Sequence, residues 1–331
     1  MKIITKILII FLVIPLFPHT TLAATRYQQV MFNNVEKTAD IVYGFGSSLP
    51  TLIPRQSTTV QLKMDMYQPV GDTATNRIAI IWVHGGSFYF GDKQDFAGTA
   101  TDFAKRGYAT FSINYRMTDH SVTPGSNEIT TVAQAVKHDI LAAVRFVRSH
   151  ASEYGIDPNR IVIGGTSAGA WSSLYAAFDT ANVGSNGNPG VSSRVSAVIS
   201  LSGGMRSEDL NLITQGEPPV IFIHGNQDGV VPLSLPQGVY DRARSVNIPA
   251  EIHVYQGGHD IFPEGFVKIR EFLYAQLVSA NASASPLPSS LPGDLNSDGN
   301  VNLADYNKLV SGYGTTYNLS NYNQLIAHYG R

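Results

Sequence analysis

The sequence predicts an α/β fold, a mostly parallel sheet covered by helices on both faces, followed by a small all-α module built around a calcium loop. Three observations carry this. Between residues 59 and 278, apolar runs of strand length alternate with segments of helical periodicity. A stretch of Ser, Ala and Pro at 279–292 then interrupts any core-forming pattern. Beyond it, an oxygen-rich loop precedes two copies of one helical repeat.

The elements follow in chain order. Thr59–Tyr67 places Val60, Leu62, Met64 and Met66 on one face, the alternation of a half-exposed antiparallel strand. Ile78–Val83 is nearly all apolar, as a strand buried on both faces must be. Ala109–Asn114, Ile161–Ile163, Val195–Leu201 and Val220–Ile223 read the same way, and Glu251–Tyr255 follows. Between them, Val132, Val136, Ile140, Val144 and Val147 mark one face of a long helix. Ala170–Phe178, Val239–Arg244 and Phe266–Leu277 suggest further helices. Residues 24–57 hold no motif; an antiparallel edge or a cover for a pocket is the expectation there.

Composition narrows the function. The chain has 331 residues, 43% hydrophobic and 15% charged, with a net charge of −2 and no cysteine. Such a chain builds a core, and its charge gives no footprint for nucleic acid. Zero cysteine excludes disulfides, thiol nucleophiles and Cys-based zinc sites. At the start, Lys2 and Lys6 precede the apolar run Ile7–Phe17, and Thr21-Leu22-Ala23 offers small residues for cleavage. This pattern predicts an export signal over 1–23, a secreted or cell-surface location, and no membrane span once the signal is removed. The run is too short to cross a bilayer, which needs about 20 apolar residues.

The chain therefore divides into a signal (1–23), a catalytic domain (24–278), a linker (279–292) and a C-terminal module (293–331). In that module, Val301–Gly314 aligns with Tyr317–Gly330 at seven of fourteen positions. Ahead of the first copy, Asp294, Asn296, Asp298, Asn302 and Asp305 supply oxygens at loop positions 1, 3, 5, 9 and 12. Asn300 contributes its backbone carbonyl at position 7, and Gly299 makes the turn at position 6. Hard oxygens at this spacing wrap one Ca²⁺. The module resembles a type I dockerin, and the resemblance implies a cohesin-like partner. It departs from that pattern in its second half, where only Thr315 and Thr316 separate Gly314 from the second copy. The expectation is one structural Ca²⁺ rather than two, and no cofactor for catalysis.

The chemistry lies in the middle. Gly165-Thr166-Ser167-Ala168-Gly169 follows the strand Ile161–Ile163 and opens a helical stretch. A strand-to-helix turn this tight lifts the Ser167 hydroxyl clear of the sheet, and small neighbours relieve the crowding. Ser167 is thus the candidate nucleophile. Of the histidines, His84 and His224 each close a buried strand, and His138 and His150 belong to the long helix. His259 sits on a turn after Tyr255-Gln-Gly-Gly and is the candidate base. Asp228, five residues beyond a buried strand, is the carboxylate that orients it; Asp260 is too close in sequence to approach its neighbour's ring. His84-Gly85-Gly86-Ser87-Phe88 offers backbone N–H groups of Gly85 and Gly86 for an oxyanion hole, with Ala168 as the complement. His84 is expected to brace that loop. Phe88, Tyr89 and Phe90 are read equally as pocket lining or as core.

With these motifs and the order Ser167, Asp228, His259, residues 58–278 resemble an α/β-hydrolase of the esterase/lipase type. Asn114-Tyr115-Arg116 and Asp157-Pro158-Asn159-Arg160 fit its small carboxylesterase branch, which includes acetyl-xylan and feruloyl esterase-like enzymes. The resemblance implies a serine carboxylic-ester hydrolase acting through an acyl-enzyme, on an ester substrate such as acylated extracellular polysaccharide. Two rival readings are a prolyl-oligopeptidase-like peptidase and a noncatalytic binding protein on the same fold. Gly-type hole residues and Ala170 after the elbow argue against the first; retention of nucleophile and base argues against the second.

Overall fold

Strand β3 (Arg77–Val83) shows how the sheet is built. Every residue in it is buried, and successive side chains go to opposite faces. Ile78, Ile80 and Trp82 join one apolar layer, and Ala79, Ile81 and Val83 join the other. The computed structural model describes residues 25–47, 59–118, 127–279 and 306–309. The expected signal, the linker beyond Ser279, and the calcium ligands Asp294, Asn296, Asp298, Asn300, Asn302 and Asp305 lie outside the described residues. Of the C-terminal module, residues 306–309 are described and are helical, within the first copy of the repeat.

The sheet has eight strands in the order β1-β2-β4-β3-β5-β6-β7-β8. They are β1 (Val35–Ser47), β2 (Thr59–Pro69), β3, β4 (Ala109–Ile113), β5 (Ile156–Thr166), β6 (Ala197–Leu201), β7 (Val220–Gly225) and β8 (Ala250–Tyr255). The pairs β1–β2 and β2–β4 are antiparallel, and all others are parallel. The helices are α1 (Ala97–Ala104), α2 (Asn127–Ser149), α3 (Ala168–Phe178), α4 (Ser234–Ser245) and α5 (Gly265–Tyr274). Helices α2, α3 and α4 cover one face through Val136, Ile140, Val144, Leu174 and Val239. Helices α1 and α5 cover the other through Phe103, Ile269 and Phe272. The indole of Trp82 stacks on Phe96 at 5.1 Å and meets Phe103 edge-on at 5.3 Å. No helix among the described residues is long and apolar enough to cross a membrane.

Two readings need correction. The alternation in β2 predicts a half-exposed strand, but its second half is buried on both faces. Asp65 is the reason. It is fully buried and pairs with Lys37 at 2.7 Å and Lys93 at 2.8 Å, while Gln94 and the Asp40 N–H donate to it. Burial alone would raise this carboxyl, but those donors outweigh it and hold the pKa at about 2. The charge is thereby satisfied where an apolar residue would otherwise be expected. The second correction concerns length. β5 begins at Ile156 rather than Ile161, with a register irregularity in its pairing with β3 between Ile156 and Ile161. Asp157 and Arg160 pair with each other at 2.8 Å at this point, a structural role.

Candidate active site

The turn that carries Ser167 joins β5 to α3, and its glycines are demanded by contact. A Cβ on Gly165 would stand 2.3 Å from the Val83 carbonyl oxygen, and one on Gly169 would stand 2.2 Å from it. Both distances are impossible, so only glycine lets the turn sit against the end of β3. Ser167 between them adopts φ 53° and ψ −119°, a strained conformation for a residue with a Cβ. Its N–H donates to Leu201 O at 2.9 Å, and its carbonyl accepts from Trp171 N–H at 2.8 Å. The side chain is thus fixed at the positive end of α3.

Asp228 and His259 arrive from the turns beyond β7 and β8. Ser167 Oγ lies 2.8 Å from His259 Nε2, and His259 Nδ1 lies 2.7 Å from Asp228 Oδ2. Read as a tautomer with the proton on Nδ1, the imidazole donates to Asp228 and accepts from the Ser167 hydroxyl. Asp228 Oδ1 accepts from the N–H groups of Val230 at 2.9 Å and Val231 at 2.8 Å. Burial would raise the Asp228 carboxyl, but the hydrogen bonds from His259, Val231 and Val230 hold it below its ordinary value. It therefore stays ionised beside the ring. Asp260, by contrast, is exposed, and its backbone carbonyl accepts from Ser202 Oγ at 2.8 Å.

The loop bearing Gly85 and Gly86 follows β3. A Cβ on Gly85 would lie 3.3 Å from the Ser167 Cβ, so its backbone borders the nucleophile. Gly86 has φ +101°, and a Cβ there would meet the Phe90 carbonyl oxygen at 1.9 Å. Ala168 is the first residue of α3, where a helical N–H has no acceptor within its own helix. The backbones of Gly85 and Ala168 thus border Ser167, and Gly86 lies next to Gly85 in the same loop. The sequence motifs around them brace this loop. His84 is fully buried, and its Nδ1 lies 2.8 Å from the Gly85 carbonyl oxygen. Burial lowers its pKa, which keeps the ring neutral. Tyr115 stacks on His84 at 4.1 Å and donates its hydroxyl to the carbonyls of His84 and Gly85. Arg116 grips Asp139 of α2, with Nε and a terminal nitrogen on Oδ1 at 3.0 and 2.7 Å.

A cavity of about 550 Å³ opens at Ser167. Ser87, Phe88, Trp171, Tyr175, Val230 and Val231 form much of its wall. Trp171 and Tyr175 stack at 5.7 Å along α3. Phe88 lines this cavity and also packs on the core, so the two readings of that residue hold together. Phe90 is largely exposed.

Several residues of the site escape sequence reading. Ser202, with φ 51°, ties the His259 loop to the end of β6. The run Ser202-Gly203-Gly204 after a buried strand is the signal for that close approach: a Cβ on Gly203 would meet the Ala170 Cβ at 2.4 Å. His224 reads from sequence as a strand end. In the structure its Nε2 lies 2.8 Å from Val231 O and 3.3 Å from Asp228 Oδ2. It therefore braces the turn that presents Asp228, and burial lowers its pKa.

Known proteins resemble this chain in sequence and in fold. Residues 64–210 match the BD-FAE family. Over 121 residues the chain is 32% identical to arylacetamide deacetylase-like 2 of Homo sapiens, covering 34% of this chain and 27% of that protein. The chain thus spans about a quarter of that relative's own length. The structure of Thermogutta terrifontis esterase 2 phosphorylated by paraoxon aligns with a TM-score of 0.59 at 22% identity, covering 76% of this chain and 96% of that one. A truncated carbohydrate esterase from gut microbiota aligns with a TM-score of 0.58 at 22% identity, covering 73% and 96%. Strand order, elbow and neighbours agree: the chain is built on the α/β-hydrolase fold, and the stretch that carries its elbow matches the BD-FAE family.

Proposed function

We propose that this chain is a serine carboxylic-ester hydrolase. The observation that carries the reading is the unbroken relay from Ser167 Oγ through His259 to Asp228, at 2.8 and 2.7 Å, on the wall of a cavity of about 550 Å³. Ser167 Oγ attacks the ester carbonyl while His259 Nε2 takes its proton. The oxyanion is met by the N–H groups of Gly85, Gly86 and Ala168, reinforced by the positive end of α3. His259 then hands its proton to the leaving alcohol, and the acyl group remains on Ser167. In the second half, His259 draws a proton from water, which attacks the acyl-enzyme and frees the acid. Asp228 stabilises the imidazolium formed in both halves.

The substrate belongs to the extracellular space on this reading. The export pattern at 1–23 and the tail at 293–331 support an exported enzyme whose tail binds one Ca²⁺ through Asp294, Asn296, Asp298, Asn300, Asn302 and Asp305 and meets a cohesin-like partner. Acetyl or feruloyl groups on a polysaccharide fit the aromatic wall of Phe88, Trp171 and Tyr175, which offers flat surface to a sugar or phenyl ring. The gut-microbiota structure bears the name carbohydrate esterase, which supports the same class. A panel of acetylated xylan, methyl ferulate, p-nitrophenyl acetate and a dipeptide amide tests this. Release of acetate or ferulate, with the amide untouched, is expected. Cleavage of the amide in preference to every ester would overturn it.

A further inference from the structure

Ser167 lines the cavity, and so does a cluster of charge. Helix α3 carries the wall from Ser167 to Tyr175, eight residues further on, a rise of about 12 Å. There the cavity is lined by Lys137, Arg206 and Asp209. Two of these charges are already engaged. Lys137 Nζ pairs with Asp179 at 2.6 Å, and the Asp209 carboxylate accepts from the Tyr175 hydroxyl. The Arg206 guanidinium has no hydrogen-bond or ion-pair partner among the described residues. Asp209 shares a turn with it, since the Asp209 N–H donates to the Arg206 carbonyl at 3.1 Å, yet its carboxylate is turned to Tyr175 instead.

The backbone under Arg206 is held. Met205 before it is fully buried, and the Arg206 N–H reaches the Tyr175 hydroxyl at 3.4 Å. Only the side chain is left to move, and it is half-buried. A substrate that fills the cavity displaces water from this guanidinium. A neutral substrate leaves the cation without compensation, whereas an anion replaces the lost water with charge-assisted hydrogen bonds. The planar fork suits a carboxylate in two-point contact.

We propose that Arg206 is a specificity-determining residue that binds a carboxylate carried by the ester, on the order of 10 Å from the reacting carbonyl. This rests on the ester-hydrolase reading of Ser167. The carboxylate can belong to the acyl portion, as in a half-ester of a dicarboxylic acid, or to the alcohol portion, as in an acylated uronate. Both present the same group to the guanidinium.

Matched substrate pairs separate these sources. On the acyl side, p-nitrophenyl half-esters of dicarboxylic acids from glutarate to suberate are compared with uncharged p-nitrophenyl esters of equal chain length. On the alcohol side, acetylated 4-hydroxybenzoate is compared with its methyl ester. The readout is the ratio of kcat/KM for the charged member to that for the neutral one. Arg206→Gln is expected to lower this ratio about 10- to 100-fold in at least one arm, the size of a hydrogen bond to a charged group. Arg206→Lys, which keeps the charge and loses the fork, is expected to fall between Gln and wild type. A ratio unchanged by Arg206→Gln in both arms, whatever happens to the absolute rates, would show a merely structural arginine and overturn the proposal while leaving the ester hydrolase standing. Failure of the folded wild type to hydrolyse any of these esters would instead overturn the reading of Ser167, and this proposal with it.

Discussion

Ser167→Ala is expected to lower kcat for p-nitrophenyl acetate by about 10⁴- to 10⁶-fold, the range seen when a hydrolase loses its nucleophile. On the proposed mechanism the hydroxyl forms the acyl-enzyme, and among the described residues no other side chain is hydrogen-bonded to His259 Nε2 to replace it. The fold has no reason to change. Alanine keeps the Cβ, so the strained φ of 53° is the same before and after, and the backbone bonds to Leu201 and Trp171 do not involve the hydroxyl. Unfolding curves of the two proteins should therefore superpose within about 1 kcal/mol. A large loss of stability alongside the loss of rate would move the effect from chemistry to folding.

Asp228→Asn is expected to lower kcat by about 10⁴-fold with the geometry preserved. The side-chain oxygen of the introduced amide can still accept from the N–H groups of Val230 and Val231, so the turn remains closed. The amide nitrogen then faces His259 Nδ1 as a donor. The imidazole must present a lone pair there, which moves its proton to Nε2, on the side of Ser167. A ring protonated at Nε2 cannot take the serine proton. The negative charge that stabilises the imidazolium is lost as well. Kinetics across pH distinguish this from misfolding: the variant should regain part of its rate at high pH, where hydroxide replaces the missing base, and a dead, misfolded protein would regain none.

The meeting of Ser167, Asp228 and His259 is legible in the sequence because each residue's surroundings are local. Ser167 is announced by Gly165 and Gly169, which contact demands, and by the apolar strand before it. Asp228 follows the buried strand β7 and His259 follows the half-exposed edge strand β8, each at a turn where a side chain has room to reach over the sheet. The long helix is legible from Val132 to Val147 because its buried face is long and regular, and all five marked valine and isoleucine positions are buried. Strand β1 meets the expectation of an antiparallel edge within 24–57, but its bounds are not legible. It is an edge with an exposed first half and two register shifts, so neither an alternating pattern nor an apolar run survives in Val35–Ser47. The burial of Asp65 is equally hidden, since its partners Lys37 and Lys93 come from segments 28 residues to either side. Ser202, His224 and Arg206 acquire their meaning from neighbours in other loops, and nothing in their own spacing states it.

The α/β-hydrolase sheet and the position of the relay follow from ordinary causes. Parallel strands buried on both faces force their connections to the ends, and the loops at the carboxyl ends of β3, β5, β7 and β8 supply Gly85 and Gly86, Ser167, Asp228 and His259. The most direct test is covalent. The native protein is treated with a fluorophosphonate, digested, and mapped by mass spectrometry, with Ser167→Ala as the control. A single phosphonyl adduct on the peptide containing Ser167, absent from the control and formed in step with loss of esterase activity, is the expected result. Full esterase activity with no adduct on Ser167, or an adduct on another residue that accounts for the loss, would contradict the assignment of Ser167 as the nucleophile.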